Sequence, residues 1–202
     1  MISDRNLAES RPAFKVIALA ASAGGLKILT DILSELPSDF PGAVLVLLHL
    51  DPKHSSFLAS ILARACTLKV KEAGQGDQIL PGLILVAGPN KHMLADDSGK
   101  IALSLAAPVH HVRPSADVLF ESLASAYGKR AIAVVLTGTG LDGADGVKQV
   151  KKHGGTVIIQ NIQTAEFGGM PSAASNTGAV DFELGVEEIT SKLLELAGKD
   201  IR

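Results

Sequence analysis

The chain has 202 residues, of which 47% are hydrophobic, and it carries a formal net charge of −2. That length suffices for one well-packed domain and is short for two. The charge, an aromatic content of 3% and the lack of tryptophan argue against a nucleic acid partner, since neither a basic field nor a base-stacking platform is present. The single cysteine, Cys66, excludes an intrachain disulfide and a Cys-x-x-Cys motif, which fits a reducing cytoplasm.

The N-terminus does not read as a targeting segment. Asp4 and Glu9 do not suit the basic start of a signal peptide, and no apolar run approaches the ~18 residues that a membrane helix needs. We expect a cytoplasmic protein without membrane insertion. Residues 1–13 are polar and are expected to form a flexible N-terminal tail, followed by one domain over residues 14–202.

Uninterrupted apolar runs predict strands that are buried on both faces of a sheet, and helical spacing follows most of them. In the first half of the chain the pattern predicts a strand at 14–20, a helix from Gly25 to Leu36 that Pro37 ends, a strand at 43–48, a helix at 55–65, short strands at 68–71 and 83–87, and a hairpin over 91–103 that turns at 97–99.

The second half continues this alternation. The pattern predicts a helix with Ser115 as its N-cap and Gly128 as its end, a strand at 131–136, a helix at 144–153, a strand at 156–159, a short helix after Pro171 and a helix at 186–197. Alternating strands and helices indicate an α/β fold. We expect a single doubly wound domain with a mostly parallel sheet, helices on both faces and a small antiparallel hairpin.

Ligands of open parallel sheets bind beyond the carboxyl ends of the strands. Ser22 follows the first strand, His49 follows the second, and Asp142 follows the strand at 131–136. A serine nucleophile, a histidine base and an orienting aspartate are the groups that acyl transfer needs. Each also has a structural interpretation, because Ser22 and Asp142 could cap helices and His49 could be a satisfied histidine at a strand end.

The sequence also contains candidates for a nucleotide site and for a metal site. Gly138, Gly140 and Gly143 spell G-x-G-x-x-G between a strand and a helix, which is the context of a dinucleotide fingerprint. However, Gln160 and Asn161, rather than an acid, follow the next strand, and Asp142 would repel a pyrophosphate. The residues His49, Asp51 and His54 match no closed zinc pattern, and His110 and His111 are expected in a surface loop. We therefore expect no metal and no cofactor.

At these residues the sequence resembles the catalytic domain of CheB-type chemotaxis methylesterases. The segments that carry the resemblance are ALAASAGGL, LLHLDPKH, VRPSADVLF, VVLTGTGLDGADG and FGGMPSAA, in the family's order over about residues 15–194. The resemblance implies a serine hydrolase of γ-glutamyl methyl esters on chemoreceptor helices, with glutaminase activity on certain receptor glutamines. It makes Ser22 the nucleophile, His49 the base and Asp142 its partner.

The resemblance also implies contacts to substrate and oxyanion from Ala23, Gly24, Thr139 and Arg113. The sequence departs from the family where a Thr often follows the serine (here Ala23), where a Met often precedes the aspartate by three (here Thr139), and where His110 and His111 replace the usual Asn/Arg pattern. The loop after His49 is longer and holds an additional acid, Asp51.

Family members typically carry an N-terminal receiver domain, which thirteen residues cannot form. We therefore expect no receiver domain in this chain, which leaves three alternatives: a stand-alone catalytic module, a fragment, or a module regulated by another protein. The expected partners are the methylated receptor helices and, in the last case, a separate receiver or regulatory protein. Two functions of other classes remain open at this point. One is a nucleotide-binding oxidoreductase that uses the loop at 138–143, and the other is a non-catalytic module that binds receptors.

Overall fold

The computed structural model describes residues 14–49 and 57–198. The flexible tail expected at 1–13 and the start of the helix expected at 55–65 lie outside the described residues. Among those residues no helix is both long enough and apolar enough to cross a bilayer.

The elements follow the predicted alternation of strands and helices. The strands are β1 (Val16–Ala21), β2 (Ala43–Leu48), β3 (Lys69–Glu72), β4 (Leu83–Val86), β5 (His92–Ala95), β6 (Ile101–Ser104), β7 (Ala131–Val135), β8 (Thr156–Gln160) and β9 (Phe182–Leu184). The helices are α1 (Gly25–Ser34), α2 (Leu58–Ala65), α3 (Ala116–Tyr127), α4 (Ala144–Lys152), α5 (Gly169–Ser175) and α6 (Val186–Leu196).

Within the described residues, seven strands form one sheet in the order β3-β4-β2-β1-β7-β8-β9. Every pairing in this sheet is parallel. The chain builds outward from β1 through β2 in one direction and from β7 through β8 in the other. The point where the strand order reverses therefore lies between β1 and β7, and this is where open α/β sheets hold their ligands.

Alternate residues of the sheet pack into two apolar layers. Ile17, Leu19 and Ala21 of β1 belong to the layer that also includes buried residues of α1, α2 and α6. Val16, Ala18 and Ala20 belong to the opposite layer with buried residues of α3, α4 and α5. The antiparallel pair β5–β6 adds Met93 and Ile101 to that second layer. Burial on both faces explains why the central strands read as continuous apolar runs.

The predicted fold class is confirmed: the domain is α/β with a parallel sheet, helices on both faces and a small hairpin. Two details differ. The last strand, β9, was not predicted, because its three residues include the exposed Glu183 and give no apolar run. The short helix α5 begins at Gly169, ahead of Pro171, because proline is tolerated in the first turn of a helix, where its missing N–H is not needed.

Candidate active site

Three segments that follow parallel strands meet at the carboxyl edge of the sheet. Ser22 follows β1, His49 follows β2, and the 136–143 segment follows β7. Backbone hydrogen bonds extend the sheet to this point, since the N–H of Ser22 donates to Thr137 and the N–H of His49 donates to Ala21. Ser22, His49 and Asp142 consequently line one cleft of about 340 Å³, at the β1/β7 reversal of strand order.

His49 and Asp142 are in direct contact. Nε2 of His49 lies 2.8 Å from Oδ2 of Asp142, and the two side chains are only 11% and 4% exposed. The carboxylate accepts three further hydrogen bonds, from the Ser115 hydroxyl at 2.7 Å and from the backbone N–H groups of Ala116 and Asp117 at 2.6 and 3.2 Å. Asp142 is thus fixed by four donors while it holds the imidazole.

These contacts set the charge of Asp142. Burial by itself raises the pKa of this carboxyl, but the hydrogen bonds from His49, Ser115 and the first turn of α3 outweigh it, and the pKa lies below its usual value. Asp142 is therefore ionised at neutral pH. A carboxylate on Nε2 keeps a proton on that nitrogen, which leaves Nδ1 as the basic nitrogen of neutral His49.

The turn at Ser22 is held by its neighbours. The carbonyl of Ser22 accepts from the N–H of Gly25 at 2.9 Å, and the hydroxyl of Thr137 donates to the carbonyl of Ala23 at 3.1 Å. The Ser22 hydroxyl itself makes no hydrogen bond to any residue that the structure describes. Ser22 therefore lines the same cleft as the His49–Asp142 pair, but its hydroxyl is not hydrogen-bonded to the imidazole. Catalytic hydrogen bonds are often absent or long in unliganded sites.

Free backbone donors surround the serine. Gly24 adopts the left-handed conformation, with φ of 73°, and is the N-cap of α1. Within 14–49 and 57–198, no group accepts a hydrogen bond from the backbone N–H of Ala23, Gly24 or Thr139, and Thr139 lines the cleft. Unpaired N–H groups favour a nearby negative charge, and those of Ala23 and Gly24 also lie beside the N-terminus of α1. Contact of these three groups with an oxyanion stays a prediction.

Arg113 lies in a second cleft that also borders His49. This cleft has a volume of about 220 Å³ and is also lined by Asn90 and His111. Its guanidinium donates to the side chain of Asn90 at 2.5 and 3.1 Å and to the carbonyls of Leu105 and Ala106 at 3.0 and 2.9 Å. Arg113 thus secures the segment that precedes α3, and its contact with substrate stays a prediction.

The glycines of the 138–143 segment have structural reasons that involve no nucleotide. A Cβ on Gly138 would lie 2.4 Å from the sulfur of Met170 and 2.8 Å from Cβ of Ser22, so only glycine lets the two segments approach. Gln160, at the end of β8, is buried and accepts the N–H of Thr137. It is therefore not available to a ribose, and the nucleotide-binding alternative is not supported.

The bond that Ser115 makes to the candidate site was not predicted from the sequence. This residue is the N-cap of α3 as predicted, but its hydroxyl does not cap the helix and donates to Asp142 instead. Asp142 in turn accepts the first N–H groups of α3, and it does not cap α4, whose N-cap is Gly143. The buried His92 supports this corner, because its Nδ1 accepts the N–H of Ser115. No spacing in the sequence connects these positions.

Two of the three residues of the alternative metal site, His49, Asp51 and His54, are not among the described residues. Asp51 and His54, as well as the lengthened loop after His49, lie outside the described residues. His110 and His111 lie in an exposed loop, as predicted.

Comparison with known proteins identifies relatives over nearly the whole chain. The family model described as CheB methylesterase matches residues 17–193. The crystal structure of the CheB methylesterase catalytic domain from Thermotoga maritima superimposes with a TM-score of 0.87 at 34% identity, covering 92% of this chain and 100% of that one.

Curated relatives carry matching names. A protein-glutamate methylesterase/protein-glutamine glutaminase from Syntrophus aciditrophicus is 39% identical over 198 residues, which cover 96% of this chain and 57% of the relative. A protein of that name from Bdellovibrio bacteriovorus is 40% identical over 92% of this chain and 53% of its own length. The chain thus spans little more than half of these two relatives. It spans 95% of a putative methylesterase/glutaminase from Leptospira interrogans, which is 34% identical.

Proposed function

The chain belongs to the CheB methylesterase family, as its sequence resemblance predicted, and from that premise we propose that it is a serine hydrolase of γ-glutamyl methyl esters in proteins. The observation that carries the proposal is the buried hydrogen bond between His49 and an ionised Asp142, in the cleft that also contains Ser22. An imidazole held by a carboxylate beside a serine hydroxyl is the arrangement that activates a nucleophile.

In the proposed reaction, the Ser22 hydroxyl attacks the ester carbonyl while Nδ1 of His49 takes its proton. The N–H groups of Ala23, Gly24 and Thr139 stabilise the negative oxygen of the tetrahedral intermediate. Collapse of the intermediate breaks the ester C–O bond, and His49 returns the proton to the leaving methanol. Water, deprotonated by His49, then hydrolyses the acyl-enzyme and frees the glutamate carboxylate together with Ser22.

The same steps apply to a glutamine side chain, with ammonia in place of methanol as the leaving group. The names of the relatives support this second activity. Methylated chemoreceptor helices are the substrate that the family resemblance implies. A receiver or other regulatory protein that controls access to the cleft is the accompanying partner, and the reducing cytoplasm is the compartment in which the free thiol of Cys66 is expected.

The decisive test is Ser22→Ala. Purified wild-type protein is expected to release methanol from methylated receptor helices, and the alanine variant is expected to lose at least a thousandfold in kcat, because it cannot form the acyl-enzyme. Trapping the acyl-enzyme on wild type by rapid acid quench and mass spectrometry provides an independent readout.

The matched control is Ser34→Ala, at the end of α1, where the hydroxyl donates to the carbonyl of Asp31 and to no other described residue. Undiminished methanol release by Ser22→Ala would refute the mechanism. Receptor binding without methanol release by wild type would indicate the non-catalytic module instead.

A further inference from the structure

A second cluster of ligand-type side chains lies beside the candidate active site. It contains His110 from the loop before α3, Asp117 from the first turn of α3 and Asp145 from the first turn of α4. One ligand atom from each of these residues lies within 4.8 Å of the other two. Nε2 of His110 is 3.3 Å from Oδ2 of Asp117. The proposed reaction uses none of these three side chains.

The Asp117 carboxylate is incompletely satisfied. Its side chain is only 9% exposed. One oxygen, Oδ1, accepts the N–H of Gly146 at 2.7 Å. The other, Oδ2, is buried and has no hydrogen-bond partner among the described residues, because the His110 ring stands at ion-pair distance without hydrogen-bond geometry. A buried carboxylate oxygen without a partner is costly, and here it points toward a histidine nitrogen.

The surroundings of this oxygen carry excess negative charge. Burial raises the pKa of Asp117 to about 6, the N–H of Gly146 opposes that effect, and the nearby charges of Asp142 and Asp145 add to it. In the described part of the chain, the lysine that pairs with Asp145 is Lys148, at 2.5 Å, and its side chain is 52% exposed. An exposed ion pair of this kind is weak and is readily displaced.

We propose that His110, Asp117 and Asp145 bind one divalent transition-metal ion of the zinc class. Bonds of 2.0–2.2 Å to nitrogen and oxygen place neighbouring ligands of a tetrahedral ion about 3.3–3.5 Å apart. The separation of 3.3 Å between His110 and Asp117 matches that edge. An imidazole with two carboxylates suits zinc better than calcium or magnesium, which prefer all-oxygen sets. Water completes the coordination.

Such an ion would fix one wall of the cleft. His110 and His111 both have positive φ, at 49° and 66°, which is unfavourable for non-glycine residues, and both line the cleft with Ser22. Coordination of His110 would tie this loop to α3 and α4. The proposed set shares no residue with the rival set of His49, Asp51 and His54, and it revises the expectation from sequence that the chain binds no metal. It does not depend on the proposed esterase activity.

The test measures Zn²⁺ binding by the full chain after treatment with EDTA, using competition with a chromophoric chelator. Wild type is expected to bind one ion per chain. His110→Ala and Asp145→Asn are each expected to raise the Kd at least tenfold. His153→Ala is the matched control, because His153 is an exposed histidine at the other end of α4 and its ring bonds, among the described residues, to the carbonyl of Gln149 alone. Its Kd should stay within twofold of wild type.

Two additions keep the test decisive. Asp145 is exposed, so its variant retains the fold even where a change at buried Asp117 does not. Co²⁺ serves as a spectroscopic probe, and its tetrahedral visible absorption should appear with wild type and with Ser22→Ala but vanish with His110→Ala. Absence of a saturable site, or a change in Kd below tenfold for either ligand variant, would overturn the proposal. Because Ser22→Ala lacks the proposed nucleophile, Zn²⁺ binding by this variant would show that the metal site does not require esterase activity.

Discussion

At the scale of single residues, Asp142 both orients His49 and accepts hydrogen bonds from the first turn of α3. Its Oδ2 holds His49 and also accepts the N–H of Ala116, while its Oδ1 accepts from Ser115 and Asp117. The carboxylate therefore caps α3 from a distant segment and orients the candidate base. The Ser115 hydroxyl, freed from capping its own helix, becomes a donor that keeps this carboxylate ionised and in place.

Ser115→Ala should consequently lower kcat about ten- to a hundredfold and leave KM nearly unchanged. Loss of one hydrogen bond to a charged group costs about 1.5–3 kcal/mol, and about 1.4 kcal/mol corresponds to a factor of ten in rate. Steady-state methanol release measures the effect. Ser122→Ala, on the same helix, is the control, because within 14–49 and 57–198 that hydroxyl bonds to Leu119 and Ala95 alone. Equal kcat values for Ser115→Ala and wild type would show that Asp142 does not need this donor.

At the scale of elements, the site depends on the contact between the turn after β1 and the turn after β7. Gly138 permits that contact, and the added methyl of Gly138→Ala would press on Ser22 and Met170. We expect overpacking to cost about 1–3 kcal/mol of unfolding free energy and kcat to fall at least a hundredfold as Ser22 shifts.

The control for this prediction is Gly140→Ala, in the same loop. A Cβ there would meet nothing within 4 Å, but φ is 87°. Backbone strain alone costs about 1–2 kcal/mol at such a position, so stability should fall while most activity remains. Urea unfolding and methanol release together separate the two effects. If Gly138→Ala keeps full activity, the close approach of the two turns is not what positions the serine.

Most strands and helices could be predicted from the sequence, because the central strands are buried along their whole length. β1, β2 and β7 are buried on both faces, and continuous apolar runs report that directly. The strand β9 lies at the edge of the sheet and is half exposed, so hydrophobic pattern gives it no signal. The positions of Ser22, His49 and Asp142 also followed from strand ends, because parallel strands bring their carboxyl ends to one edge.

Contacts between side chains of different segments could not be predicted this way. The bond from Ser115 to Asp142 depends on how α3 is placed against the segment that precedes α4, and the approach of His110 to Asp117 depends on how the loop before α3 folds back on that helix. No periodicity encodes either placement. The role of Gly138 is of the same kind. Its motif suggested a phosphate loop, whereas the structure shows a glycine required by the side chains of Ser22 and Met170.

At the scale of the whole molecule, the Asp142 carboxylate belongs to the candidate site and also contributes to the stability of the fold. The folded state lowers its pKa, so protonation favours the unfolded chain. The stabilisation is present above the unfolded-state pKa of about 3.9 and is lost as the pH falls through the lower folded-state pKa.

Asp142→Asn should therefore reduce the free energy of unfolding by about 1.5–3 kcal/mol at pH 7, and this difference should shrink toward pH 3. Urea unfolding in EDTA at both pH values measures it, with Asp31→Asn, in an exposed pair with Lys27, as a control expected to change by less than about 0.5 kcal/mol. A difference that is as large at pH 3 as at pH 7 would mean that the ionised carboxylate does not stabilise the fold.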